Sequence, residues 1–304
     1  MLVVVGNTAE DLFLAVARFA EPGESCLAEV MARALGGKGA NQAVAAARIG
    51  ATVSFVTAVG NDEVGQRLAT SLEREPFERV VIHRCCASTD MSFIQVDPDG
   101  RNLVISTHSC ALGLDDHHLA NLAFGPSDTL LTQANLDLEV TERLIRRARN
   151  AGAYVALNPS PSVEGLERLV AHADLLILNE REAEQLGEGC DAVQAMRAWI
   201  AAVPDGAPWP REAVVTLGPR GAEWVTREET LAERAPPTTP RDTTGAGDVL
   251  CGVLLARRLM GADRASALRD AVHAASASTT RVGTFGTSPD DLAPGFAQGE
   301  ATTC

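Results

Sequence analysis

Short apolar runs alternate with longer stretches of helical periodicity along most of this chain. The apolar runs lie at 2–5, 53–59, 128–133, 153–158, 174–179 and 213–218. Helical spacing occupies 41–49, 63–73, 138–150, 164–172, 191–202, 248–260 and 265–280. Strands that are apolar on both faces and alternate with helices predict an α/β fold, with a mostly parallel central sheet and helices on both faces. In such a sheet, the binding site lies outside the carboxyl ends of the strands.

Two segments interrupt this alternation. Residues 11–36 contain no helix-length unit, and residues 91–107 have the pattern of two strands around the turn Asp97-Pro98-Asp99-Gly100. We expect these segments to pair into a small β-sheet that projects from the main domain as a lid. The predicted main domain comprises residues 1–10, 37–88 and 109–304, and the predicted lid comprises residues 11–36 and 89–108.

The amino-acid composition of the chain limits the classes of molecule that we expect it to bind. The formal net charge of −14 disfavours nucleic acid and anionic membranes as partners. No uncharged apolar run approaches the length of a membrane span, and the N-terminus has no basic region typical of a signal peptide. The seven cysteines are odd in number and include no C-x-x-C motif, so we expect free thiols in a reducing cytoplasm.

Two glycine-rich segments each precede a helical pattern. They are "LGGKGANQAVAAARIGA" at 35–51 and "RDTTGAGDVLCG" at 241–252. The first is not a Walker A loop, because Lys38 is followed by Gly39, and "VVVGNTAED" lacks the dinucleotide-binding fingerprint. Bare backbone amides ahead of a helix attract anions. Asp248 would repel such an anion, an arrangement that makes sense if its carboxylate takes a proton from the group that attacks the anion.

These two segments resemble the signature segments of the PfkB carbohydrate kinase family, and within it the chain is most similar to the ribokinases. Further similar stretches are "ALNPSP" at 156–161, "NEREAEQL" at 179–186, "TLGPRGA" at 216–222 and "TRVGTFGTSP" at 280–289. The resemblance implies a ribokinase-like fold and an ATP-dependent kinase that phosphorylates a primary hydroxyl of a small free sugar. It also implies Mg²⁺, a monovalent cation such as K⁺, and a homodimer formed through the lid.

The resemblance assigns roles residue by residue. Asp248 matches the catalytic base, and the amides of Gly245, Ala246 and Gly247 match the anion hole. The positions that match the sugar-binding set are Asp11, Gly37, Lys38, Asn41 and Asn135. The positions that match the nucleotide side are Asn179, Glu182, Thr216, Gly218 and Gly221. The positions that match the monovalent-cation site are Asp242, Thr244, Ser278, Arg281, Gly283 and Thr287.

Two positions depart from the ribokinase pattern. Ala9 stands where ribokinases have an asparagine, and Asn135 stands where they have a glutamate. Both changes fall on the sugar side, so we expect intact phosphoryl transfer to a sugar other than ribose.

Three alternatives remain open at this stage. A nucleoside kinase of the same family would need an aromatic base pocket, for which Phe13 and Phe93 are the candidates. A non-catalytic sugar-sensing protein is disfavoured by the intact Asp248 and Gly-Ala-Gly segment. A Rossmann dehydrogenase is disfavoured by the missing fingerprint.

Overall fold

The computed structural model describes residues 1–187, 191–204, 210–281 and 283. Its strands are β1 (Leu2–Val5), β2 (Ala9–Val16), β3 (Ala28–Gly36), β4 (Val53–Gly60), β5 (Arg79–Cys85), β6 (Met91–Val96), β7 (Asn102–Ser106), β8 (Thr129–Gln133), β9 (Tyr154–Asn158), β10 (Leu175–Asn179), β11 (Glu212–Thr216), β12 (Ala222–Thr226) and β13 (Thr230–Glu233).

Helices fill most of the intervals between these strands. They are α1 (Lys38–Arg48), α2 (Glu63–Leu72), α3 (Ser109–Leu112), α4 (Asp116–Leu119), α5 (Leu138–Asn150), α6 (Glu167–Val170), α7 (Glu180–Gly187), α8 (Ala192–Ala202), α9 (Ala246–Leu259) and α10 (Arg264–Ser278). None of the helices within the described ranges combines the length and apolar character needed to cross a bilayer.

A nine-stranded sheet forms the centre of the molecule, in the order β13-β12-β11-β10-β9-β8-β1-β4-β5. Its strands pair in parallel from β5 to β11, as predicted. The antiparallel strands β12 and β13 extend one edge, and β5 extends the other. These three edge strands were missed, because their mixed polar and apolar residues give no continuous apolar run.

Both faces of the central sheet are buried. Along β1, Leu2 and Val4 pack into a core with α1, α9 and α10, whereas Val3 and Val5 pack into a second core with α5 and α8. Because successive side chains of a strand point to opposite faces, four consecutive apolar residues are required here. The prediction of helices on both faces is confirmed.

A four-stranded sheet stands apart from the central one, in the order β3-β2-β6-β7. The parallel pairing of β2 with β6 joins the two segments that interrupt the αβ alternation. At the β6–β7 turn, the carboxylate of Asp97 accepts hydrogen bonds from the main chain of Asp99 and Arg101. The predicted small sheet is therefore present.

One expectation about the cysteines is wrong. Cys85, at the end of β5, and Cys110, in α3, form a disulfide across Cα atoms 6.1 Å apart. Cys26, Cys86 and Cys251 are free, and the two remaining cysteines lie outside the described residues. The sequence gives no sign of this pairing. After Cys85 the chain runs out through β6 and β7 into the small sheet, and it then comes back beside Cys85 at Cys110.

Candidate active site

The first turn of α9 carries Asp248, whose side chain is buried at 7% exposure. Gly245 occupies the N-cap with a φ of +76°, a left-handed conformation that favours glycine. Since glycine has no side chain to cap the helix, the amides of the first turn have no side-chain acceptor, and the amide of Ala246 makes only a long bond of 3.4 Å to the carbonyl of Thr243. The segment predicted to hold an anion is therefore an uncapped helix N-terminus.

Two carboxamides of α1 hold the Asp248 carboxylate. Asn41 Nδ2 donates to Oδ2 at 3.1 Å, and Gln42 Nε2 donates to Oδ1 at 2.9 Å. These contacts join the two glycine-rich segments, which are about two hundred residues apart in the chain. The structure thus brings the predicted base and the predicted sugar-binding helix into one site.

Close main-chain packing explains how α1 reaches this position. Gly37 has a φ of +93°, and a Cβ there would lie 2.9 Å from the main chain of Ala9. The amides of Gly39 and Ala40 donate to the side chain and main chain of Asn7, at 3.2 and 3.0 Å. The start of α1 is therefore fixed against the chain that leaves β1.

Asp11 lies on β2, and its side chain is buried with Gly36 directly beside it. Burial raises the pKa of Asp11 to about 7, a hydrogen bond from Ser92 opposes the shift, and the negative charge of Asp248 adds to it. Asp11 abuts Gly36, two residues before α1, and α1 contacts Asp248 through Asn41, so both carboxylates lie beside the N-terminal part of α1. The adjacent Glu10 is paired with Arg33 and Arg67 at 2.7 and 2.8 Å, which ties β2 to β3 and α2.

Several buried side-chain oxygens near the carboxyl ends of β1 and β8 have no hydrogen-bond partner within the described part of the chain. They belong to Asn41, Gln133 and Asn135. Buried carboxamide oxygens without a donor are costly. The oxygens of Asn41 and Asn135 are acceptors of the kind that hydroxyl groups of a polyol would satisfy, whereas Gln133 has no exposed surface.

The predicted nucleotide-side residues gather at another part of the same sheet edge. Asn179 and Thr216 are register partners at the ends of β10 and β11. Asn179 Oδ1 accepts from the amide of Glu182, and Glu182 Oε2 accepts from the amide of Asn179, both at 2.9 Å. This reciprocal pair caps α7. Gly218 and Gly221 bound the turn between β11 and β12, both with positive φ.

The predicted cation-site residues meet around Asp242. Its carboxylate accepts from the amides of Thr244 at 2.9 Å and Gly283 at 3.0 Å. The hydroxyl of Thr244 is buried without a partner among the described residues. Ser278 follows nearby, at the end of α10, but its hydroxyl already donates to a main-chain oxygen within that helix.

Two further residues were predicted for this site. Arg281 lies just beyond α10, where its amide donates to the carbonyl of Ser278 at 3.2 Å. Thr287 lies outside the described residues.

Four polar side chains of the site were not predicted from sequence: Gln42, Ser92, Gln133 and Asn158. Gln133 and Asn158 end the apolar strands β8 and β9, the position where parallel sheets place functional groups. That signal was present in the sequence. Gln42 is hidden within an alanine-rich helix, where a glutamine is unremarkable.

The model of the pfkB family of carbohydrate kinases matches residues 1–291. Among curated relatives, a ribokinase of Haemophilus influenzae is 30% identical over 291 residues, covering 93% of each chain. A deoxyribokinase of Salmonella typhi is 29% identical over 293 residues, covering 95% of each chain.

Solved structures share the fold over nearly the whole chain. A ribokinase from Thermotoga maritima has a TM-score of 0.82 at 27% identity, covering 98% of this chain and 99% of its own. A ribokinase from Cryptococcus neoformans, solved in complex with ADP, has a TM-score of 0.80 at 25% identity, covering 95% and 97%. The phosphofructokinase-2 from Escherichia coli, solved in complex with potassium, has a TM-score of 0.77 at 22% identity, covering 98% and 97%. The chain belongs to the PfkB family of carbohydrate kinases, which are phosphotransferases acting on a sugar hydroxyl.

Proposed function

We propose that this sugar kinase transfers the γ-phosphoryl group of ATP to a primary hydroxyl of a small free sugar, a ribose-like pentose or an analogue. One observation carries the proposal. A buried aspartate lies in the first turn of an uncapped, glycine-led helix, with both of its oxygens oriented by carboxamides of α1. That arrangement suits proton removal beside a bound phosphate.

Asp248 acts as the general base that accepts the proton of the attacking hydroxyl. The amides of Gly245, Ala246 and Gly247 form the anion hole at the positive end of α9. A Cβ at Gly247 would meet no atom within 4 Å, so open space borders this backbone. The base and the anion hole therefore lie within one helical turn of each other.

The sugar is held from the small sheet and from α1. Asp11 accepts hydrogen bonds from two hydroxyls, and Lys38, Asn41 and Asn135 supply further polar contacts, with Gly37 allowing close approach. The ionised form of Asp11 has acceptor oxygens for both hydrogen bonds. Because Ala9 has no polar side chain and Asn135 is neutral, a deoxygenated, epimeric or differently substituted pentose is preferred to ribose. The relatives include a deoxyribokinase as well as ribokinases of similar identity, so the family accepts more than one such sugar.

On the nucleotide side, Asn179 and Glu182 would hold Mg²⁺ through water, and Thr216, Gly218 and Gly221 would contact the triphosphate. One carboxylate and one carboxamide oxygen form an oxygen donor set that suits Mg²⁺ with several retained waters. When bound, Mg²⁺ neutralises charge on the transferring phosphates. The relative solved with ADP supports the nucleotide assignment.

A monovalent cation, K⁺, binds near Asp242 and Thr244, with Ser278, Arg281, Gly283 and Thr287 forming the other half of its site. The unpartnered hydroxyl of Thr244 and the carboxylate of Asp242 are oxygen donors of the type such an ion requires. Asp242 holds the segment immediately before the anion hole. The potassium-bound relative supports this site for the fold.

The small sheet acts as the lid over the sugar and as the surface of a homodimer. Its edge strands expose apolar side chains, including Val30 at 60% and Ile105 at 55%. A second copy of the chain would cover them.

The experiment that tests this function is a coupled ADP-release assay over a panel of pentoses, deoxypentoses, hexoses and nucleosides, with and without K⁺. We expect turnover with a non-ribose pentose, and a higher rate with K⁺ than with Na⁺ alone. A nucleoside as best substrate would favour the related nucleoside kinases, although Phe13 is 2% exposed and offers a base almost no surface. Binding without ADP release for every sugar would indicate a sensor.

A further inference from the structure

A chain of buried carboxamides extends from Asp248 into the central sheet. Gln42 Nε2 donates to Asp248 Oδ1 at 2.9 Å and to Asn158 Oδ1 at 3.1 Å. Gln42 Oε1 accepts from Gln133 Nε2 at 2.7 Å. Asn158 Nδ2 donates to the main-chain carbonyl of Ile177 at 2.7 Å. The three carboxamides therefore link α1 to the ends of β8, β9 and β10.

The main-chain carbonyl of Ile177 fixes the direction of this chain. A carbonyl can only accept, so Asn158 must turn its amino group toward Ile177 and its oxygen toward Gln42. Gln42 must then turn its amino group toward Asn158 and Asp248. If Gln42 were flipped, its oxygen would face two other acceptors, and its amino group would face that of Gln133. Buried polar groups left in such mismatches are costly.

We propose that Gln42 is a positioning residue for phosphoryl transfer, held by Asn158 and Gln133 so that a hydrogen-bond donor always faces Asp248. This inference rests on the proposed base role of Asp248. The side chains of Gln42 and Gln133 have no exposed surface. They act through the carboxylate, whose orientation they fix.

The test compares four variants with the wild-type enzyme: Gln42→Met, Gln42→Glu, Asn158→Leu and Asp248→Asn. Gln42→Met removes the donor, and Gln42→Glu replaces it with a like charge of the same shape. Asn158→Leu leaves Gln42 in place but removes the group that orients it. The matched control is Gln194→Met, at an exposed position of α8. The melting temperature and ADP binding are measured for each variant to establish folding.

The readout is kcat at saturating sugar as a function of pH. Asp11 on β2 and the buried Cys251 on α9 interact electrostatically with Asp248, and the charges of Lys38, Asp242 and Glu182 act on one or both of them. Saturating sugar reports the enzyme–substrate complex and so reduces the contribution of free Asp11. We expect Gln42→Met to lower kcat by about tenfold or more, with the KM for ATP changed by less than about threefold.

The acid limb of the pH profile should move to higher pH in a fixed order. The shift should be largest for Gln42→Glu, which places a second negative charge beside Asp248. It should be smaller for Gln42→Met, which only removes the hydrogen-bond donor, and smallest for Asn158→Leu, which leaves the donor in place but less well oriented. A lower melting temperature with an unmoved acid limb would mean that these residues are merely structural and would overturn the inference. If Asp248→Asn is inactive while the Gln42 variants behave as wild type, the proposed positioning role of Gln42 is overturned and the proposed base role of Asp248 stands. If Asp248→Asn itself remains active, the proposed base role fails first.

Discussion

Asp11 shows how one buried carboxylate can serve binding at a cost to stability. Its side chain is removed from water beside Gly36, and the negative charge of Asp248 adds to the effect of burial. The pKa of Asp11 is raised from 3.8 to about 7, so near neutral pH the folded protein holds a proton that the unfolded chain releases. A sugar that donates two hydroxyl hydrogen bonds would favour the ionised form and would offset part of this cost.

Linkage gives the sign of the resulting pH dependence. Between about pH 4 and pH 7 the native state binds more protons at Asp11 than the unfolded state, so this residue lowers the free energy of unfolding as pH rises. Between roughly pH 5.5 and 8.5, titration of Asp11 should lower the free energy of unfolding of the wild type by about 2 kcal/mol, and we expect Asp11→Asn to lack this decrease. Urea unfolding at the two pH values measures the difference. The same variant should raise the KM for sugar steeply. Parallel pH dependence of wild type and variant would contradict the assignment.

At the scale of elements, the packing of α1 on α9 determines the site. Gly252 lies one turn beyond Asp248, and a Cβ there would collide with the main-chain carbonyl of Gln42 and meet Ala45 at 3.0 Å. Only glycine lets the two helices approach so closely. This close approach is what allows consecutive residues of α1, Asn41 and Gln42, to reach the two oxygens of one carboxylate.

Gly252→Ala should therefore separate the two helices. We expect a loss of about 1–3 kcal/mol in the free energy of unfolding, typical of overpacking, together with a fall in kcat as the carboxamides withdraw from Asp248. Ala271→Val, in the core face of α10, is the matched control, because it overpacks the same core without lying on either helix of the site. Urea unfolding and kcat are measured for both variants. If both variants lose similar stability and Gly252→Ala retains kcat as well as Ala271→Val does, the spacing of α1 and α9 has no catalytic role.

At the scale of the whole molecule, the edge strands of the small sheet carry apolar side chains that the described chain does not cover. On β3 and β7, Val30, Met31, Val104 and Ile105 are each about half exposed or more. We expect the double variant Val30→Asp and Ile105→Asp to convert a dimer into a monomer by light scattering at micromolar concentration. Leu259→Asp, at the exposed end of α9, should leave the mass unchanged. A wild-type protein that is already monomeric would reject the lid-mediated dimer.

The central sheet was predictable because parallel strands buried on both faces must be continuously apolar. The small sheet could be inferred only from a break in that rhythm, and the edge strands β5, β12 and β13 left no such signal. The helix predicted at 164–172 is shorter, with α6 covering only Glu167–Val170. α1 begins before its predicted start, since glycines at its N-terminus hide the helical pattern.

Within the site, residues with a distinctive local pattern were identified from sequence, as at Asp248 and Asp242. Gln42 was not, because its importance depends on a contact with an element more than a hundred residues away. Asn158 was also overlooked, although its place at the end of an apolar strand was a usable signal. The disulfide escaped prediction for a different reason: its cysteines are separated in the chain by β6 and β7, which bring no signal that Cys85 and Cys110 meet.

The most direct test of the central claim is the rate of phosphoryl transfer by Asp248→Asn. The substitution keeps the shape of the side chain and removes its capacity to accept a proton. We expect kcat to fall by roughly 10²–10⁴-fold while ADP binding and the melting temperature stay close to those of the wild type. A variant that retains kcat within about threefold of wild type would show that Asp248 is not the base.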